Sequence, residues 1–157
     1  MEYTIRELKP AEIPLLHTFL YEAIYQPEGT ERLPFEVVYN PALSLYVDDW
    51  GRPGDYCLLL EVNRAVVGAA WSRLLPDGYG RVDPATPELS ISLLPAYRHV
   101  GVGSALLSRM LESLRQLKYS RVSLSVSKGN YAAAWYEKSG FRIYMEREED
   151  YVMLLDL

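Results

Sequence analysis

The residues best placed to do chemistry lie in one run, Leu93-Leu94-Pro95-Ala96-Tyr97-Arg98-His99-Val100-Gly101-Val102-Gly103-Ser104. It falls between a predicted strand and the most regular helical pattern in the chain. A turn there aims successive backbone N–H groups at one point, and the helix dipole adds roughly half a positive charge. Glycine at 101 and 103 permits positive φ and lets an anion approach without meeting a Cβ. The chemistry predicted is an anion cradle of main-chain donors, suited to a pyrophosphate.

Nucleotide motifs of other kinds do not fit. GxxxxGK[ST] is absent, and in a dinucleotide fingerprint Leu106 would stand where the third glycine belongs. The following strand, Arg121 to Ser127, carries no acid to hold a ribose. His17 and His99 have neither a nucleophile pattern nor a second ligand at metal spacing, so no metal is expected. His17 reads as a surface residue of the first helix. Cys57, the single cysteine, sits in the apolar run Tyr56-Cys57-Leu58-Leu59-Leu60 and reads as a small buried hydrophobe.

Arg98-x-x-Gly101-x-Gly103, followed by Ser104-Ala105-Leu106-Leu107, resembles the R/Q-x-x-G-x-G/A motif of the GCN5-related N-acetyltransferase (GNAT) superfamily. Asn130-Tyr131-Ala132-Ala133-Ala134-Trp135-Tyr136-Glu137-Lys138-Ser139-Gly140-Phe141 is similar to a second family stretch, where Asn opens a Tyr-bearing helix and Gly-Phe follows. The resemblance is close from Glu88 to Phe141 and loose over the rest. It implies one domain over residues 1–157 that binds acetyl-coenzyme A and moves the acetyl group onto an amine, most simply a small molecule. An acyl-coenzyme-A sensor that keeps the fold without turnover is the alternative.

The resemblance also implies a layout. The fourth and fifth strands part like a V, and the pantetheine arm pairs with backbone groups of Ile91, Ser92 and Leu93. The pyrophosphate rests on His99, Val100, Gly101, Val102, Gly103 and Ser104, with Arg98 at the mouth of the turn. Asn130 touches the pantetheine amides, though its side chain also reads as a plain helix cap. Tyr136 lies near the sulfur and gives a proton to the departing thiolate. Backbone N–H groups near Leu93 face the acyl oxygen.

An attacking amine must be neutral, which for a pKa near 10.4 costs about 4–5 kcal/mol at pH 7. Glu88, opening the fourth strand, is the candidate proton acceptor, directly or through water; an ordinary strand-end charge is the alternative. The best-known family glutamate aligns one position earlier, at Pro87. Members that acetylate protein N-termini carry a glutamate where this chain has Ser125, which argues against such an acceptor.

These residues need a scaffold, and the pattern supplies one. Tyr3 to Leu8 reads as a strand, then Pro10 opens a helix to about Ile24 with Ile13, Leu16, Leu20, Ala23 and Ile24 on its core stripe. A weaker helix from Phe35 to Tyr46 breaks near Pro41. Strands at Tyr56–Val62 and Ala65–Leu75 meet at a tight Asn63-Arg64 turn. A connector from Pro76 to Pro87, expected to be mobile, leads to the strand Glu88–Leu94. A helix from Val102 to Lys118, a strand from Arg121 to Ser127, a short helix from Asn130 to Gly140 and a closing hairpin complete the order. The class predicted is α+β in three layers: a mixed, mostly antiparallel sheet of about seven strands flanked by four helices.

Composition agrees with a globular domain: 49% apolar and 24% charged residues, with 13 tyrosines and 3 tryptophans. The net charge of -5 disfavours nucleic acid and suits a cationic amine. Tyr21, Tyr25, Trp50 and Trp71 are candidate walls for that acceptor, and the aromatic surplus is compatible with a homodimer. No run is long and apolar enough for a membrane span, and the first residues lack a signal-peptide pattern, so a cytoplasmic location is expected.

Overall fold

The computed structural model describes all 157 residues. Its strands are β1 (Thr4–Glu7), β2 (Tyr56–Val62), β3 (Ala65–Arg73), β4 (Glu88–Leu93), β5 (Arg121–Ser127), β6 (Arg142–Glu146) and β7 (Asp150–Asp156). Its α-helices are α1 (Leu15–Ala23), α2 (Pro41–Ser44), α3 (Val102–Gln116) and α4 (Ala132–Lys138). The strands form one sheet in the order β1-β2-β3-β4-β5-β7-β6. Every neighbouring pair is antiparallel except β4 and β5. The expected seven strands and four helices are therefore present.

Helices cover both faces, and β2 shows why. Its alternate residues Leu58 and Leu60 pack with Leu106, Met110 and Leu114 of α3. Cys57 and Leu59 pack with Leu16, Phe19 and Leu20 of α1. A strand apolar on both sides must lie between two layers. Each such leucine, fully buried, contributes about 2 kcal/mol. Asn63 and Arg64 both adopt positive φ, 50° and 67°, the twist that a two-residue hairpin needs.

The first helix departs from expectation. Pro10–Glu12 forms a separate 3-10 turn, and the α-helix starts only after Pro14. Proline has no N–H to continue a helix from the preceding turn, so the pattern breaks there. Phe19 joins Leu16 and Leu20 in the core, whereas Ala23 is exposed and Ile24 is already extended. The segment Phe35–Tyr39 is likewise a 3-10 turn, ahead of the short α2 that Asn40 caps through a bond from the Ala42 amide.

The chain after α2 is locked from below. Trp71 Nε1 donates to the Tyr46 carbonyl at 3.0 Å. Arg73, 1% exposed, grips Asp55 with two bonds of 2.9 and 2.7 Å and donates to the carbonyls of Leu45 and Asp48. Trp50 lies over its guanidinium. A buried arginine is stable only when its donors are met, and these bonds set where Tyr46 sits. No helix is long and apolar enough to cross a membrane.

Candidate active site

β4 and β5 are paired at a single position, Glu88 opposite Ser123, with the Ser123 amide donating to the Pro87 carbonyl at 3.0 Å. Beyond it the two strands separate. The register shows which groups are left bare. Leu94 donates to Val67 on β3, so by alternation Ser92 and Ser90 also turn their backbone toward β3. The N–H groups of Ile91 and Leu93 and the Ile91 carbonyl therefore point into the gap. On β5, Lys128 and Ser120 bond toward β7, which leaves the main chain of Ser125 and the Ser127 N–H facing the gap from the other side. The expected trio thus reduces to Ile91 and Leu93. Ser92 is engaged elsewhere, its backbone with β3 and its hydroxyl with the Phe19 carbonyl at 2.6 Å.

At the open end of β4 the chain turns into α3. His99 has φ 62° and Gly101 φ 92°, and no other atom comes within 4 Å of where a Cβ at 101 would stand. No turn or cap bond uses the amides from His99 to Ser104. The first amides of a helix have no intrahelical partner, so a run of free donors faces outward here. Val100 is exposed, and the His99 ring rests 4.5 Å from that of Tyr131. Ser104 accepts a bond from Trp135 Nε1 at 3.0 Å, tying α4 to the turn.

Arg98 does not project freely from the mouth. Its guanidinium donates to the Leu93 carbonyl at 3.2 Å and to the Glu22 carboxylate at 3.2 Å. Tyr25 reaches the opposite lip, donating to the Gly129 carbonyl at 3.1 Å. The end of α1 is thereby bonded to both sides of the split. Asn130 caps α4 by accepting from the Ala132 amide at 3.0 Å, so its plain helical role is realised.

Tyr136 is 8% exposed, with Phe141 edge-on at 5.6 Å and Trp135 at 5.1 Å. Burial, reinforced by Tyr131, raises its phenol above the ordinary range and keeps the proton on at neutral pH.

Glu88 is no surface charge at a strand end. It is 3% exposed, beneath the segment from 76 to 87. Burial pushes its carboxyl up to about 7, against the pull of the Tyr46 hydroxyl, the nearby Gly80 amide and the Arg147 charge. Tyr46 donates to Oε2 at 2.5 Å, while Oε1 is buried without a hydrogen-bond partner. The connector expected to be mobile is bonded in place. The Tyr79 amide donates to the Tyr46 hydroxyl at 2.8 Å, Arg147 donates to the Tyr79 carbonyl at 2.6 Å, and Arg121 is paired with Asp83.

Sequence reasoning missed Tyr46, Tyr79 and Arg147. Only the paired glycines Gly78 and Gly80 hinted that the connector approaches something closely. The acceptor walls also need correcting. Trp71 is fully buried in the core under α1 and cannot touch a substrate. Trp50 covers Arg73, and Tyr21 stacks on Phe35 while donating to the Leu33 carbonyl. His17 is half-buried against Tyr39, and Cys57 is buried as expected.

The sheet is thus split between its two parallel strands, with bare amides along both arms and at one lip. Residues 20–141 match the Acetyltransferase (GNAT) family, and the chain belongs to it. PaiA N-acetyltransferase from Thermoplasma acidophilum, solved with coenzyme A, superposes with TM-score 0.72 over 100% of both chains at 20% identity. The yncA protein of Salmonella typhimurium, solved with acetyl-CoA, gives 0.69 over 100% of this chain and 95% of its own, at 20% identity. The ribosomal-protein-S18-alanine N-acetyltransferase of Escherichia coli gives 0.67 over 99% and 94%, at 21% identity. At such identities the likeness is one of fold. No curated protein matches the chain in sequence.

Proposed function

We propose that this protein transfers the acetyl group of acetyl-CoA to the nitrogen of a small amine. One observation carries the reading: free main-chain groups line the β4/β5 gap, and they continue into the unbonded amides of His99 to Ser104. The carrier fits both parts. Its amide-containing arm needs strand-like partners, which Ile91, Leu93, Ser125 and Ser127 offer. Its diphosphate needs clustered donors without a Cβ in the way, which the turn at Gly101 offers. Bound there, acetyl-CoA supplies an activated acyl carbon and a thiol leaving group.

The chain's own residues handle protons and orientation. The N–H of Ile91, nearer Glu88 than that of Leu93, is the donor directed at the acyl oxygen, which leaves the Ile91 carbonyl and the Leu93 N–H to the arm. Glu88 stands three residues below Ile91, roughly 10 Å along the strand. That distance exceeds the reach of a glutamate, so the amine's proton travels to its carboxylate through water. Tyr136 keeps its hydroxyl proton for the departing sulfur. Between turnovers solvent takes the proton from Glu88 and restores the one lost by Tyr136. Ser125 in place of an acid on β5 favours a small acceptor over a protein N-terminus.

Thiol release from acetyl-CoA, measured across a panel of small amines and peptides, tests the activity. Release with at least one small amine supports the reading. Tight coenzyme binding without release from any acceptor would instead make the chain an acyl-coenzyme-A sensor. Tyr136→Phe should lower turnover by about 10²–10⁴-fold while leaving coenzyme affinity nearly intact. Unchanged turnover, with chemistry rate-limiting, would remove Tyr136 from the mechanism.

A further inference from the structure

Tyr46 follows α2 and reaches under the 76–87 segment, its ring stacked on Tyr79 at 6.5 Å and 6° between planes. Its hydroxyl is used twice, accepting from the Tyr79 amide at 2.8 Å and donating to Glu88 Oε2 at 2.5 Å. A phenol has one proton, and an amide N–H cannot accept it, so that proton is free for the ionised carboxylate. One carboxyl oxygen is therefore held and the other, Oε1, is left without a partner. The segment above lies against that second oxygen: a methyl group at Gly78 would overlap Oε1.

We propose that Tyr46 is a positioning residue for Glu88, fixing the carboxyl through Oε2 while fastening the 76–87 segment over it. This rests on Glu88 being the proton acceptor. The second fastening is Arg147, which holds the Tyr79 carbonyl and is itself paired with Asp150 at 2.7 Å. The other neighbours of Glu88 leave Tyr46 as its sole hydrogen-bonding side chain. Arg73, directly across on β3, is taken by Asp55. Ser123, across on β5, is neutral, and its hydroxyl makes no bond. The Gly80 amide and the Arg147 charge act from the segment and from the β6–β7 turn. A ring that only filled space would be replaced without loss by phenylalanine. A ring whose hydroxyl sets the carboxyl would not.

Two measurements test this, neither of which needs the natural acceptor. Carbon-13 NMR follows the glutamate carboxyls through a pH titration, with the Glu88 resonance assigned by its loss in Glu88→Gln. In Tyr46→Phe the proton dissociation constant of Glu88 should fall about tenfold, because the lost bond favoured the ionised form. Coenzyme A affinity should stay within about twofold. In the wild-type protein, whatever the variant's stability, the Tyr46 Cζ resonance should move with the same midpoint as Glu88. A folded Tyr46→Phe with an unchanged Glu88 titration overturns the proposal, as does a Tyr46 resonance indifferent to Glu88. Once an acceptor is found, the acid limb of kcat/KM should move to higher pH in Tyr46→Phe. A limb that vanishes in Glu88→Gln but stays put in Tyr46→Phe overturns the role of Tyr46 alone. Full turnover in Glu88→Gln overturns the base reading and this one with it.

Discussion

The turn from Arg98 to Ser104 and the pocket around Glu88 stand at opposite ends of β4 and are made of opposite materials. The turn offers exposed main-chain donors from one short run, and its side chains matter chiefly for what they leave out. The pocket offers one buried carboxyl, held by side chains and backbone from the chain just after α2, the 76–87 segment, β4 and the β6–β7 turn. A carrier common to a whole family can be met by backbone alone. A proton acceptor needs its acidity set, and only burial among specific partners does that. The two ends should therefore fail separately.

The largest expected effect concerns stability and pH at the pocket. Glu88 holds its proton in the folded protein up to about pH 7, whereas an unfolded chain releases it near 4.5. Between those values the folded state binds more protons, so stability contributed by this site falls as pH rises. Glu88→Gln removes the dependence. At 1.36 kcal/mol per tenfold, its stability relative to wild type should improve by about 3 kcal/mol from pH 4.5 to 7.5. Urea unfolding at a series of pH values measures it. Parallel curves would mean that burial does not raise this carboxyl, and the contrast with the turn would disappear.

The next test displaces the covering segment. A methyl at Gly80 would lie 2.7 Å from the Leu124 carbonyl carbon and 2.8 Å from the Ser125 nitrogen, both backbone atoms that cannot swing aside. Gly80→Ala should cost about 1–3 kcal/mol of stability. Ser125 also borders the β4/β5 gap, so coenzyme A affinity, measured by calorimetry, should fall together with stability, by no more than about tenfold. A large loss of affinity at unchanged stability would mean that the segment belongs to the carrier's site.

What could be read in advance follows the same division. Gly101 and the helical spacing from Val102 to Leu114 are neighbours in sequence, so local pattern was enough to predict the turn and α3, although Gly103 lies within α3 without the positive φ expected of it. The bare edges of Ile91 and Leu93 follow from register, and residue types alone do not say where two strands part. Ser92 shows this, for its backbone turns to β3 where the family pattern suggested the gap. Tyr46 lies 42 residues from Glu88 and Arg147 lies 68 from Tyr79, so no spacing rule joins them. Pro14 misled in another way: its stripe neighbours keep helical spacing, but a missing N–H outweighs the pattern.

The smallest effect should come from the turn itself. Gly101 begins α3 at φ 92°, where an L side chain is strained, yet open space surrounds its missing Cβ. Gly101→Ala therefore carries only a backbone cost, on the order of 1 kcal/mol, which the turn relieves by rotating its amides out of line. Coenzyme A should bind roughly five- to tenfold more weakly by calorimetry. The pH dependence of stability should match that of wild type, because Glu88 sits at the far end of the strand. Weaker binding together with an altered Glu88 titration would show that β4 transmits strain from one end to the other. Unaltered binding would show that the diphosphate does not rest on these amides, and the carrier's path along β4 would need to be redrawn.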